Sequence, residues 1–221
     1  MIFLFLFILE LFILFFVSQI LTKSLSILFY KVTGSRTVTI NLLSFLFLPG
    51  VVIHELSHML SAALLMVPVG EIEFLPKVSD NGVKLGSVEI GRTDPIRRAI
   101  IGFAPVLAGT ALIISLIYFI YSFSGLLLFW KFVIIFYVVF EIGNTMFSSR
   151  KDLEGTIELL LVFLIIFVSF YLLGARVPEN FINFVFSEAN IELIKKGNLF
   201  LVIPILADLL FIGLTKILSK K

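Results

Sequence analysis

His54 and His58, the two histidines of this 221-residue chain, stand four positions apart in the run Val52-Ile53-His54-Glu55-Leu56-Ser57-His58. On an α-helix, positions i and i+4 share a face, so both imidazoles can grip one Zn²⁺ while the Glu55 carboxylate reaches a metal-bound water as general base. The chemistry served by that spacing is metal-assisted hydrolysis. A catalytic zinc takes three protein ligands and keeps a fourth position for water. The chain has no cysteine and no third histidine, so the remaining ligand must be a carboxylate. Asp94, Glu141, Asp152 and Asp208 lie within or beside apolar segments further along the chain. Asp152 is the first choice, because it stands at the turn after the fourth apolar segment, on the side where the histidine-bearing helix ends. Glu141, deeper in that segment, is the rival, since an ionisable group at such depth is a functional candidate by default. The plainer roles are an exposed loop acid or helix N-cap for Asp152, and a partner to a helix-end lysine or arginine for Glu141.

The elements that must carry these residues are set by composition. Hydrophobic residues make up 60% of the chain and charged residues 14%, with 26 Phe and a mean hydropathy of +1.15. That balance places the chain in lipid rather than among soluble domains. A bilayer core takes about 20 apolar residues per helix, and six such stretches run from about 2 to 22, 41 to 67, 97 to 121, 125 to 147, 156 to 174 and 199 to 218. The expectation is an all-α polytopic membrane protein, one membrane domain over 1–221 with about six transmembrane helices and a catalytic core over about 41–160. The first stretch has no basic n-region, lacks a small-residue cleavage site and contains Glu10, so it reads as a membrane anchor rather than a signal peptide. The lack of cysteine excludes a disulfide framework, a thiolate zinc site and a cysteine nucleophile. A net charge of +2 gives no ground for nucleic-acid binding.

Within the second stretch, Pro49-Gly50 falls just before the histidines. Proline suits the first position of a helix, where its missing N–H would be unpaired anyway. The metal-binding helix is therefore expected to start afresh near Pro49 and to stop before Pro68-Val69-Gly70; a simple packing kink is the alternative. Between the second and third helices, Glu71 to Leu75 alternates polar and apolar, Ser79-Asp80-Asn81-Gly82 signals a turn, and Val83 to Ile90 is again strand-like. A small β-hairpin insert over about 71–92 is expected. Its exposed edge could hold an unwound substrate segment by main-chain pairing, or it could merely connect two helices. Ala104, Ala108 and Gly109 on the third helix allow close backbone approach. Glu10 and Asp208, lone acids of the outer helices, are expected to make interhelical hydrogen bonds or to mark a water path. With the N-terminus inside, the loop at 68–98, the Arg150-Lys151 turn and the tail bearing Lys216, Lys220 and Lys221 put the larger share of basic residues in the cytoplasm. That orientation is of a multi-pass protein of the cell membrane whose site opens towards the cytoplasmic side.

His54-Glu55-Leu56-Ser57-His58 in a membrane helix, followed far downstream by Asn144 and Asp152, resembles the site-2 protease family of intramembrane zinc metalloproteases, as a divergent member. The run Gly102-Phe103-Ala104-Pro105-Val106-Leu107-Ala108-Gly109 is similar to that family's core helix, and the resemblance covers about 41–160. It implies that His54, His58 and Asp152 bind Zn²⁺, that Glu55 is the base, and that Asn144 is an auxiliary polar group holding substrate or intermediate. The implied activity is hydrolysis of peptide bonds in transmembrane or membrane-associated substrates. The competing expectation is a non-catalytic membrane metal-binding protein, either a pseudoprotease that binds transmembrane clients or a metal transporter.

Overall fold

Long runs of Leu, Ile, Phe and Val form the helices here, and polar or conformationally special residues end them. The computed structural model describes residues 2–79, 82–122, 129–146, 150–174, 176 and 178–219. Helix α1 (Ile2–Thr33) continues well past residue 22, because Thr22 folds its hydroxyl back onto the Ser18 carbonyl at 3.0 Å and Lys23 sits on an exposed face. It stops at Gly34, whose φ of 62° is one that side chains disfavour. Ser35 then caps α2 (Arg36–Leu46) by accepting from the Val38 amide.

Helix α3 (Leu48–Leu64) starts afresh with Pro49 in its first turn, after a bend of 70° from α2. Its far end closes in a Schellman arrangement, the Val67 N–H reaching the Ala62 carbonyl (2.9 Å) and the Met66 N–H that of Ala63 (3.0 Å). Met66 supplies the left-handed residue, at φ 56°, and Val67 packs on Ala62 and Ile101. The chain is thereby turned into the hairpin.

The hairpin forms, in two short ladders. β1 (Val69–Glu73) pairs antiparallel with β4 (Ser87–Ile90), Glu73 opposite Ser87, and β2 (Lys77–Ser79) pairs with β3 (Gly82–Lys84). Pro76, which has no N–H to donate, stands where one strand breaks. On the returning strand Leu85 and Gly86 leave the ladder, and Leu85 packs against the cluster that contains Phe47 and Val51. The expected second strand over 83–90 is thus two strands with a non-pairing step between them.

Helices α4 (Pro95–Ser122), α5 (Phe129–Thr145), α6 (Arg150–Leu172), α7 (Glu179–Val185) and α8 (Glu188–Ser219) complete the chain. By length and composition α1, α4 and α8 can cross a membrane, and α2 with α3 makes a fourth span if the bent pair counts as one. α5 and the later half of α6 contribute only shorter apolar helices among the described residues. Among the described residues three spans are shown, or four with the bent pair counted as one.

Contacts fix the helix directions. Asn198 on α8 donates to the Phe3 carbonyl of α1 at 3.0 Å, and further along both helices Leu21 and Leu25 share a cluster with Ala207 and Ile212, so α1 and α8 run parallel. α5 runs against α8, with Asn144 on Asp208 and the Phe140 ring tilted against that of Phe211 at 5.9 Å. α3 runs against α4, with His58 on Ile101. The N-terminus and the start of α8 share one end of the bundle and Lys216 lies at the other; Val69 of the hairpin packs by Ala62 and Ile101, and Leu85 reaches back to the cluster of Phe47 and Val51. The sense of α8 is set by its packing on α1.

Candidate metal centre

α3 carries both histidines across its contact with α4 and α5, where His54, Glu55 and His58 are 3%, 6% and 5% exposed. The two Nε2 atoms stand 3.2 Å apart with the rings nearly perpendicular. His58 Nδ1 lies 2.8 Å from the Ile101 carbonyl. A carbonyl only accepts, so Nδ1 carries the hydrogen and the Nε2 lone pair of His58 faces His54. Two nitrogens bound at about 2.0–2.1 Å to a tetrahedral zinc would be roughly 3.3 Å apart, so the pair fits that ion. Holding the remote ring nitrogen on a carbonyl is the usual way in which a protein orients a metal-ligating histidine.

Around the pair, Ile53, Pro105, Gly109, Ile142, Thr145 and Met146 line a small recess with His54. Glu55 points to the opposite neighbour, the hairpin. A Cβ on Gly86 would stand 3.1 Å from Glu55 Cγ, 3.2 Å from its Oε1 and 2.5 Å from Val51 Cγ1. Gly86 therefore gives the carboxylate its room, and no larger residue fits without displacing α3 side chains.

The carboxylates proposed as third ligand are placed as follows. Asp94 caps α4, its Oδ1 accepting the Arg97 amide at 3.0 Å and its Oδ2 3.4 Å from Arg97 Nε; the Arg97 amide holds its pKa below the ordinary value. Glu141 Oε2 accepts the Gly50 amide at 3.3 Å. It thereby serves one of the N–H groups that the first turn of α3 leaves without an intrahelical partner. Asp208 Oδ1 accepts from Asn144 Nδ2 at 2.8 Å. Asn144 also donates to the Phe140 carbonyl at 3.0 Å, so its amide is directed at α8. Asp152 falls in the first turn of α6, and its side chain lies outside the described residues. Among the described residues no third His, Asp or Glu joins the histidines as a metal-holding group.

Three participants were not foreseen from sequence. The Ile101 carbonyl and the Gly86 backbone are contributed by main chain, for which no side-chain signal exists. Asp208 had a signal, an acid in an apolar helix, but nothing local told that Asn144 would be its partner. Comparison with protein-family models, with curated proteins and with solved structures gives no match for this chain.

Proposed function

We propose that this chain is an intramembrane zinc metalloprotease of the site-2 protease type, cutting transmembrane or membrane-associated substrates. The observation that carries the reading is the convergence of His54 and His58 Nε2 at 3.2 Å, with His58 locked by the Ile101 carbonyl and Glu55 buried beside them on α3. Zinc held there would supply Lewis acidity, bringing the pKa of a bound water towards about 7 and polarising the scissile carbonyl. His54 and His58 would hold it as neutral imidazoles. Asp152 would be the third ligand, as the resemblance implies; Asp94 is held by the Arg97 amide and side chain, whereas Glu141 keeps one buried oxygen without a hydrogen bond and is the rival ligand.

Glu55 takes a proton from water and returns it to the leaving amine, so one carboxylate serves as base and then as acid. Low exposure of Glu55 keeps bulk water from competing, and the site must open to admit a peptide. A helix hides its scissile bonds in its own hydrogen bonds, and the free edges of the two-stranded β1–β4 ladder would hold an unwound segment extended by main-chain pairing. Asn144, turned towards Asp208, would act on substrate only after that pair separates.

In the membrane, α1, the bent α2–α3 pair, α4 and α8 would make the four crossings that length and composition support. The loop at 68–98 and the Arg150-Lys151 turn carry Lys77, Lys84, Arg92, Arg97, Arg98, Arg150 and Lys151. That basic cluster supports a site opening to the cytoplasm of the cell membrane.

The test is zinc content and cleavage of a transmembrane peptide by the purified protein, beside Asp152→Ala and Glu141→Ala. About one zinc per chain with cleavage is expected, both lost in Asp152→Ala. Stoichiometric zinc without turnover on any peptide would instead favour a client-binding pseudoprotease. Zinc uptake into vesicles would favour a transporter, and zinc fully retained by Asp152→Ala would remove Asp152 from the ligand set.

A further inference from the structure

We propose that Tyr137 and Glu141 of α5 are positioning residues for the histidine-bearing helix: they take the two ends of one hydrogen bond at the α2–α3 break and so fix the bend that aims His54 and His58. In an unbroken helix the Gly50 N–H would donate to the Leu46 carbonyl, four residues back. Here α2 ends at Leu46 and α3 begins at Leu48, and both groups turn to α5 instead. The Tyr137 hydroxyl donates to the Leu46 carbonyl at 3.0 Å, and Glu141 Oε2 accepts the Gly50 N–H at 3.3 Å. Tyr137 and Glu141 stand four residues apart on α5, so one helical face offers a donor and an acceptor at the spacing of the pair that it separates.

Pro49 alone does not account for the break. Its missing N–H leaves the Phe45 carbonyl without a helical donor, and its ring crowds that carbonyl. Gly50 keeps its N–H, and the next bond along, from the Val51 N–H to the Phe47 carbonyl, is made at 2.9 Å. The bond between Leu46 and Gly50 is therefore open where α5 takes both its partners, and in lipid such freed backbone groups need partners within the protein. The helices also touch closely there: a Cβ on Gly50 would stand 2.7 Å from the Glu141 carbonyl oxygen and would overlap Thr145 Oγ1. Thr145, one turn beyond Glu141, lines the recess beside His54, and His54 lies one turn beyond Gly50. α2 is tied to α1 by the Thr33 and Thr39 hydroxyls at 3.4 Å and by Leu43 packed with Leu21 and Leu25. Straightening at Gly50 would thus be taken up by α3, dragging His58 off the Ile101 carbonyl that orients it.

The bend is read in the full-length protein, reconstituted in phosphatidylcholine bilayers, as the distance between spin labels on a Val38→Cys, Leu60→Cys variant. Both positions are exposed, and the chain has no other thiol. With the two helices bent by 70° the labelled backbones stand about 27 Å apart, against about 33 Å along a straight helix. Tyr137→Phe, which removes only the hydroxyl, is expected to lengthen the distance by about 3–6 Å as the Leu46–Gly50 bond closes, and Glu141→Leu to do the same. Glu141→Gln keeps an oxygen for the Gly50 N–H and is expected to leave the distance unchanged. A second readout rests on the zinc reading: cobalt(II) bound in place of zinc has visible absorption bands that report ligand geometry, and these should shift in Tyr137→Phe. Unaltered protein that takes up no cobalt would refute the zinc reading, while the label distance still decides the clamp. An unchanged distance in Tyr137→Phe overturns the proposal, as does a shift in Glu141→Gln as large as in Glu141→Leu. Should Glu141→Leu fail to fold, the Tyr137→Phe distance decides alone.

Discussion

Glu55 is where the chemistry and the packing meet, since its carboxylate must be free to move a proton yet is hemmed in by the turn that follows β3. Glu55→Gln preserves volume and removes the base; it is expected to keep one zinc per chain and to lower cleavage by about 10²–10⁴-fold, as measured by metal analysis and peptide turnover on the same preparation. His54→Ala should lose metal and activity together. Gly86→Ala is a subtler probe. The added methyl would meet Val51 Cγ1 at 2.5 Å and Glu55 Oε1 at 3.2 Å, so kcat should fall while zinc content stays, at a stability loss of about 1–3 kcal/mol from overpacking. An unchanged kcat in the Gly86→Ala variant would show that the turn does not constrain the base.

Among the elements, α3 has the most particular construction, with a proline start, a foreign carboxylate from Glu141 on its first turn and a methionine in the left-handed position of its closing turn. Met66 is 89% exposed, so its side chain contributes little packing and its backbone carries the strain. Met66→Gly should therefore stabilise the protein by about 1 kcal/mol, read as a raised thermal midpoint without change in zinc content. The start of α4 responds to acid. Asp94 has its folded-state pKa lowered by the Arg97 amide, so its cap is in place above the ordinary carboxylate pKa of about 3.9 and is lost as pH falls through the lower folded value. Amide exchange in the first turn of α4 should speed up below that range, and Asp94→Asn should flatten the dependence.

At the scale of the whole molecule the parallel α1 and α8 determine the topology. Because the chain contains no cysteine, single cysteines placed at Arg92 and Lys216 would be the sole thiols. A membrane-impermeant thiol reagent applied from one side of sealed vesicles should label one of them and not the other. Labelling of both from the same side would contradict the helix directions found here.

The sequence alone determined the membrane character, the helical class, the restart of a helix at Pro49 and the existence of a hairpin, because hydropathy, proline geometry and turn chemistry act over a few residues. It also put two imidazoles on one helical face, since a four-residue spacing needs only the helix itself. Tertiary structure decided what lies between distant segments. It set the Ile101 carbonyl on His58 and Gly86 against Glu55, matched Asn144 with Asp208, and laid α8 parallel to α1. Those outcomes rest on packing between surfaces that are uniformly apolar in composition, where shape and a few buried hydrogen bonds choose the partner and local sequence leaves no trace of the choice.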